Sequence, residues 1–292
     1  MCGRYALALP ASQVRQMLED DAMAVDEAPD DGDNASRQSH NFAPGYHGIV
    51  YRAATSDRGA GSAPAGERRY RLQAMKWGLI PFWTKRNPDY GTMLKTINCR
   101  DDSLSSPGGM WAAIKGRKRC LVIAQGFFEW LKKGPREKMP HFVRRRDGKL
   151  MCFAGLWDCV QYHDLDEKAY SYTIITTSSN PQLRFLHDRM PVIFDPGSED
   201  VKTWLDPGRS EWDDVLQGLL RPYDGELDVY PVSKEVGKVG NDSPSFIVPL
   251  DSKENKSNIA NFFAKGGKGG SAETGKHKMG GEGEETPGSD EE

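Results

Sequence analysis

The sequence lacks any long hydrophobic run. No apolar stretch approaches the roughly 18 residues that a membrane-spanning helix needs, and the N-terminus has no basic segment followed by an apolar one. We therefore expect neither a membrane span nor a signal peptide. Cysteines are few and scattered: the five lie at positions 2, 99, 120, 152 and 159, with no CxxC pair. This pattern argues against a disulfide framework, favours a reducing compartment and predicts no metal and no cofactor.

Net charge is also small, at −3 from 39 basic and 42 acidic residues, but it is unevenly placed. Residues 251–292 hold nine acidic and six basic residues, so this tail alone accounts for the −3. The stretch from Glu19 to Asp33 holds eight acids and no base, and the rest of residues 1–250 therefore sums to +8. A basic body with acidic segments makes a polyanionic partner worth testing.

Short β-like runs dominate residues 49–250, and turn signals such as Asp147-Gly148 separate them. Because strands outnumber helices and do not alternate with them regularly, we predict an α+β domain over residues 2–250 with a curved, mainly antiparallel, barrel-like sheet. Residues 19–40 and 55–69 are polar and predict exposed insertions. The predicted strands are 71–75, 120–124, 141–145, 151–156, 171–177 and 192–194, and the predicted helices begin at Ser12 and lie near 110–115, 181–186 and 200–205.

Cys2 is the first candidate for chemistry. A small residue at position 2 normally permits removal of the initiator Met1, which would leave Cys2 with a free α-amine beside its thiol. An α-amine with a pKa of about 7.7–8.0 is partly neutral at cellular pH and can form a Schiff base with an aldehyde, onto which the thiol closes as a thiazolidine. The same residue could instead be a nucleophile for amide hydrolysis, or simply pack as a small apolar side chain. Arg4 could hold a phosphate, although an isolated arginine is more often in a surface ion pair.

Two further segments place polar groups where chemistry could use them. Asn98 and Arg100 are two apart on an extended segment and point to the same side, where they could orient a sugar oxygen and a phosphate. Such pairs are also commonplace near turns. Glu129 lies between Phe128 and Trp130, which predicts partial desolvation and a raised pKa suited to proton transfer. The alternative is a strand-end glutamate that points to water.

A histidine turn and an aromatic segment complete the candidates. His187 suits acid–base work near neutral pH, and Arg189 and Pro191 follow it closely, although a lone histidine is more often structural. Trp83 ends an aromatic segment that could stack nucleobases. Core packing is the alternative, and it fits Trp77 better than Trp83.

Six motifs occur in a fixed order, and two shorter ones, Pro231-Val232-Ser233 and Asn241-Asp242, follow them. The six are Met1-Cys2-Gly3-Arg4, Asn41-Phe42-Ala43-Pro44-Gly45, Trp77-Gly78-Leu79-Ile80-Pro81, Ile97-Asn98-Cys99-Arg100, Gly126-Phe127-Phe128-Glu129-Trp130 and His187-Asp188-Arg189-Met190-Pro191. As an ordered set they closely resemble the SRAP (SOS response-associated peptidase) family of abasic-site sensors, in its eukaryotic type. The resemblance spans roughly residues 2–250.

The resemblance implies a specific chemistry. Cys2, freed of Met1, would condense with the ring-opened aldehyde of an abasic site in single-stranded DNA and end as a thiazolidine crosslink that shields the lesion. Asn98 would orient the Cys2 backbone and the lesion, Glu129 would position the sugar and assist proton transfer, and His187 would assist sugar ring opening and crosslink reversal. The positions that match DNA contacts are Arg4, Pro44, Trp83, Arg100 and Arg189.

The tail contains one apolar island. Ile259, Phe262 and Phe263 stand at i, i+3 and i+4, so one helical turn would put them on one face. The island resembles a motif that binds the PCNA sliding clamp, with Lys256 where Gln is usual, and the alternative is a chance cluster in a disordered tail. We expect a monomer in the nucleus at replication forks, with the cytoplasm as a further location.

Two other functions stay open at this point. One is an N-terminal-nucleophile peptidase or amidase, the activity in the family's name, and a lyase activity that cleaves the strand could accompany the crosslinking. The other is a non-catalytic DNA-binding adaptor, which would bind undamaged single strands and would not need Cys2.

Overall fold

The computed structural model describes residues 2–32, 36–59, 68–135, 137–162 and 166–253. The predicted clamp-binding motif, with Ile259, Phe262 and Phe263, lies outside the described residues. Most of the predicted insertion at 55–69 lies outside them too. Within the described ranges, no helix is long and apolar enough to cross a membrane.

The described chain forms thirteen strands, five short α-helices and four 3-10 helices. The strands are β1 (Tyr5–Leu7), β2 (Ser39–Phe42), β3 (His47–Ala53), β4 (Tyr70–Trp77), β5 (Asn98–Arg100), β6 (Arg119–Ala124), β7 (Gly126–Lys132), β8 (Lys138–Arg145), β9 (Met151–Gln161), β10 (Lys168–Ser178), β11 (Arg189–Pro191), β12 (Ile193–Phe194) and β13 (Leu227–Pro231). The α-helices are α1 (Ala11–Asp20), α2 (Tyr90–Met93), α3 (Asp101–Leu104), α4 (Glu199–Trp204) and α5 (Asp214–Gly218). The 3-10 helices are Leu94–Thr96, Met110–Ala113, Lys234–Gly237 and Pro244–Ile247.

Five of the strands close into a ring. β10 pairs with β4, β4 with β3, β3 with β6, β6 with β9, and β9 pairs back with β10. All of these pairs are antiparallel except β10–β4. Closure leaves no free edge within the ring. The prediction of an α+β fold with a mainly antiparallel, barrel-like sheet is confirmed.

A second sheet, in the order β13–β8–β7–β1–β2, packs against the ring. β1 lies between β7 and β2 and pairs antiparallel with both. The Tyr5 ring stacks on Phe42 at 4.4 Å between centroids, and its hydroxyl lies 2.6 Å from the hydroxyl of Tyr172 on β10. The N-terminal strand is thus built into the interface between the two sheets.

Two predicted segments differ from the structure. The segment 19–40 is not wholly an exposed loop: α1 continues to Asp20, and Met23 and Val25 are buried in the main core. The predicted helix at 181–186 is instead a run of turns, in which the Asn180 side chain accepts a hydrogen bond from the Leu183 amide. This run has no room to lengthen, because the chain enters β11 at residue 189.

Gly48 on β3 offers a sharp test of the interface between the sheets. An added Cβ would collide with the Tyr5 hydroxyl and lie 2.7 Å from the Tyr172 hydroxyl, so Gly48→Ala must displace the buried tyrosine pair. Overpacking and the lost hydrogen bond should lower the free energy of unfolding by about 3 kcal/mol in urea denaturation. Gly218→Ala is the matched control: nothing lies within 4 Å of its Cβ, and stability should stay within about 1 kcal/mol of the parent. Equal stability of the two variants would contradict the packing described here.

Candidate functional site

Cys2 lies three residues before the start of β1 and is fully buried. Its carbonyl accepts a hydrogen bond from Asn98 Nδ2 at 2.8 Å, and its thiol Sγ lies 3.8 Å from the carbonyl of Arg4. Chain termini usually fray unless they are tied down. Here the hydrogen bond to the backbone and the pairing of β1 on both sides fix the first described residue in place.

Asn98 reaches Cys2 from the wall of the barrel. It opens β5, which runs parallel to β10 with Asn98 opposite Ile174. Asn98 Oδ1 is buried and has no hydrogen-bond partner within the described chain. A buried carbonyl oxygen of this kind is available to a donor on a bound molecule. Asn98 can therefore hold Cys2 with one end of its amide and a ligand with the other.

Glu129 supplies a carboxyl group to the same place. It lies on β7, the neighbour of β1, and only 5% of it is exposed. Burial raises its pKa to about 7, and the positive charge of the chain's N-terminus is the largest opposing influence. Burial also raises the pKa of the Cys2 thiol, and the Glu129 charge raises it further. At neutral pH the thiol is therefore protonated, while Glu129 is present in both protonation states.

His187 contributes a neutral imidazole. It is partly exposed, and burial lowers its pKa, with the charge of the N-terminus acting in the same direction. Its Nδ1 accepts a hydrogen bond from the Arg189 amide at 3.0 Å, and the carboxylate of Asp188 lies 2.8 Å from the same nitrogen. The two contacts require different protonation states. The lowered pKa favours the neutral ring, which accepts from Arg189 and carries its proton on Nε2.

The three predicted arginines have different surroundings. Arg4 is buried, and its guanidinium donates to Asn41 Oδ1 at 2.7 Å and to the carbonyls of Val236 and Gly237 at 2.9 and 3.4 Å. In this arrangement Arg4 ties the segment before β1 to the 3-10 helix Lys234–Gly237. The side chain of Asn41 also donates to the carbonyl of Lys238, which strengthens the same connection.

Arg100 and Arg189 are both paired with carboxylates. Arg100 is exposed and donates to Asp102 through Nε and Nη2. Arg189 is mostly buried and donates to Asp101 Oδ1 at 2.8 Å and to the backbone of Thr176. A phosphate near either arginine would compete with its carboxylate partner, and the exposed Arg100 is the more accessible of the two.

The aromatic segment divides as the sequence suggested. Trp77 is fully buried and donates from Nε1 to the carbonyl of Ile97, whereas Trp83 is 49% exposed. Pro44 is buried. Two further exposed apolar residues, which the sequence patterns do not predict, lie on the same stretch of chain: Tyr90 and Leu94. The signal that could have found them is the turn-rich segment 84–95, which joins Trp83 to Asn98 without a buried apolar run.

Among the residues that the structure describes, no group of three or more His, Cys, Asp or Glu side chains could hold a metal ion. The groups that the site presents are a buried thiol, a carboxyl group with a pKa of about 7, a neutral imidazole and an amide.

The family model for the SOS response associated peptidase (SRAP) matches residues 1–239. The chain belongs to the SRAP family. Three relatives carry names that describe abasic site processing. The protein YMR114C of Saccharomyces cerevisiae is 35% identical over 86% of this chain and 68% of its own length. The HMCES protein of Gallus gallus is 31% identical over 86% and 78%, respectively. The YoqW protein of Bacillus subtilis is 33% identical over 85% and 99%.

Solved structures show the SRAP fold as well. The structure of a Bacteroides thetaiotaomicron protein superimposes with a TM-score of 0.61 and 23% sequence identity, over 85% of this chain and 99% of that one. At this identity the likeness shows the fold alone.

The raised pKa of Glu129 makes a prediction for this SRAP chain. Between the ordinary value of 4.5 and about 7 the folded state binds more protons than the unfolded state, so this residue's contribution to stability falls as pH rises through that window. Glu129→Gln removes the titration. As the pH is raised from 4.5 to 8, the free energy of unfolding of the variant, measured in urea, should rise by about 2–3 kcal/mol relative to that of the parent. Glu226→Gln, at a position whose side chain is 74% exposed, removes the same charge as a control. A difference between Glu129→Gln and the parent that does not change with pH would contradict the assignment.

Proposed function

We propose that this chain recognises abasic sites in single-stranded DNA and crosslinks to them covalently through Cys2 after removal of Met1. The single observation that carries the proposal is the anchoring of the Cys2 carbonyl by Asn98 at 2.8 Å, beside a glutamate whose pKa is about 7. Membership of the SRAP family and the names of its abasic site processing relatives support the substrate class.

The proposed reaction joins an amine and a thiol to one aldehyde carbon. The Cys2 α-amine adds to the aldehyde of the ring-opened abasic sugar and gives a carbinolamine. Loss of the hydroxyl group as water leaves an iminium ion, and the thiol sulfur then bonds to the iminium carbon. The product is a five-membered thiazolidine, and one water is released overall.

Glu129 suits both proton transfers in this sequence. Protonated Glu129 donates to the departing hydroxyl group, and the carboxylate that results accepts the proton from the thiol as sulfur attacks. The carboxyl group ends as it began. A pKa of about 7 matches this double role, because each protonation state is accessible at cellular pH. The raised pKa of the Cys2 thiol makes such a base necessary, since the resting group carries its proton.

His187 suits the step that prepares the aldehyde. The closed abasic sugar is a hemiacetal, and opening it requires removal of a proton from the anomeric hydroxyl and delivery of one to the ring oxygen. A neutral imidazole can accept the first of these protons and return a proton later. The lowered pKa of His187 extends the neutral form of the ring to pH values below its ordinary pKa of 6.5, so the ring is neutral at cellular pH.

A crosslinking assay tests the proposal. Purified protein should form a heat-stable adduct with single-stranded DNA that has been treated with uracil glycosylase, and Cys2→Ala should form none. Asn98→Ala loses the carbonyl anchor and should react about tenfold more slowly, since an unmade buried hydrogen bond costs about 1–3 kcal/mol. Cys159→Ala removes a thiol outside the site and should react like the parent. An adduct yield from the parent no higher than that from Cys2→Ala would contradict the proposal.

The family's name keeps one alternative open, an N-terminal-nucleophile peptidase. Turnover of an unrelated peptide that requires Cys2, without adduct formation, would favour it. Binding of undamaged strands that survives Cys2→Ala, again without an adduct, would favour an adaptor. Strand cleavage at the lesion by the parent would indicate a lyase activity.

The interaction with a sliding clamp is a separate proposal that rests on the sequence of the tail. A peptide of residues 252–268 should bind PCNA in calorimetry, because Ile259, Phe262 and Phe263 would fill a hydrophobic pocket from one helical turn. Phe262→Ala should abolish the binding. An unsubstituted peptide that gives no heat of binding would remove the idea.

A further inference from the structure

The turn Pro81–Thr84 presents two aromatic rings to solvent. The Thr84 amide donates to the Pro81 carbonyl at 2.9 Å, which puts Phe82 and Trp83 at the two central positions of the turn. Their side chains are 53% and 49% exposed, and the rings meet nearly perpendicular at 4.9 Å between centroids. Two large aromatic side chains are rarely exposed to solvent next to each other, and such apolar patches often mark interaction sites. The contacts that hold this turn in place are therefore relevant to function.

A buried carboxylate holds the backbone of this turn. Asp158 on β9 is fully buried, and its Oδ2 accepts a hydrogen bond from the Phe82 amide at 2.8 Å. Its Oδ1 accepts from Lys118 Nζ at 2.6 Å and from the Cys159 amide at 2.8 Å. Lys118 is itself buried, so both charges of the pair have left water. Such a pair rarely adds stability over apolar residues of the same size. Its role is better explained by the geometry that it imposes on the turn.

A second buried polar group acts beside the first. Ser171 on β10 stands directly opposite Asp158 in the β9–β10 pairing, and it is also fully buried. Its Oγ accepts from the Ile80 amide at 2.7 Å. The two side chains therefore hold backbone amides two residues apart, on either side of Pro81. The Gly78 amide, bonded to the Tyr172 carbonyl at 2.9 Å, fixes the start of the same segment.

The lysine of the pair also lies below the aromatic rings. Lys118 Nζ is 5.8 Å from the centroid of the Phe82 ring and 5.2 Å from that of Trp157. The guanidinium carbon of Arg52 lies 4.2 Å from the same Trp157 ring. Lys118 thus links the Phe82 ring to Trp157, on which Arg52 also packs.

The turn is also connected to the candidate site. The Leu79 amide donates to the Thr96 carbonyl at 3.3 Å, and Trp77 Nε1 donates to the Ile97 carbonyl at 2.9 Å. The next residue is Asn98, which holds Cys2. The segment that carries the aromatic pair therefore lies against the segment that fixes the nucleophile.

We propose that Asp158 is a positioning residue that orders Phe82 and Trp83 as a preformed stacking surface for a nucleobase of the DNA strand held at the Cys2 site. The inference rests on the proposed function for its ligand. Because the turn is already ordered, binding does not have to order it, and the stacking contact is gained at a smaller loss of entropy.

A double-mutant cycle tests this inference. The probe is single-stranded DNA with a tetrahydrofuran abasic analogue, which has no aldehyde and cannot crosslink, so fluorescence anisotropy reports binding alone. Asp158→Asn should weaken binding about tenfold, and Ser171→Ala, which removes only the bond to Ile80, about threefold. Both losses should vanish in a Phe82→Ala/Trp83→Ala background, because the anchor acts through the rings. Losses that persist in that background would overturn the inference, as would parental affinity in Asp158→Asn.

A structural readout separates this role from general loss of fold. Amide hydrogen exchange at residues 79–84 should speed up in Asp158→Asn and Ser171→Ala, while exchange in β6 stays as in the parent. If Asp158→Asn does not fold, the outcome for Ser171→Ala decides. Failure of the proposed function has a different signature: the parent forms no adduct with abasic DNA. A parent that forms the adduct, with variants that bind equally well, overturns only the role of Asp158.

Discussion

The hydrogen bond from Asn98 to the Cys2 carbonyl is the contact on which the candidate site depends. Asn98 stands on β5, β5 is paired to β10, and the pairing of β10 with β9 closes the barrel. The first residues of the chain thereby take on the rigidity of the barrel wall. Arg4 makes the complementary connection to the other end of the domain, through the carbonyls of Val236 and Gly237. Cys2, although it lies near a chain terminus, is therefore held as rigidly as functional groups that lie on helices and strands.

Burial then sets the protonation of the site. It raises the pKa of both acids, the Cys2 thiol and Glu129, and lowers that of the base, His187, so every group is pushed towards its neutral form. Because the thiol and the imidazole are neutral and Glu129 is present in both protonation states near pH 7, the site can exchange protons with a bound molecule without first separating charge in a dry environment. The arginines stand apart from this set: Arg189 and Arg100 have carboxylate partners of their own, which keeps their charge balanced at the rim.

The features that could be predicted from the sequence are those that residues close together in the chain determine. The apolar residues beside Glu129 in the sequence predict its desolvation, and the structure shows it 5% exposed. Phe128 and Trp130 themselves pack in a separate cluster with Phe142, because successive side chains of a strand point to opposite faces. The sequence predicts this strand only over residues 151–156, whereas β9 continues to Gln161. Asp158, in the added part, pairs with Lys118 40 positions away, and no local pattern predicts that contact. The bonds of Arg4 could not be predicted for the same reason, because its acceptor at Val236 lies 232 residues further along the chain. The closed ring likewise depends on long-range pairing that no window of sequence contains.

The distance along the chain between Arg4 and its acceptors has a consequence for the timing of synthesis. β1 finds β7 only after residue 126 has been made, and the bonds of Arg4 to Val236 and Gly237 form last. Contacts this remote close late, and domains emerge from the ribosome N-terminus first. Cys2 and Arg4 therefore lack their native partners for most of translation, and they are buried only once the domain has folded. The same strand order that buries Cys2 delays its burial until most of the chain has been made.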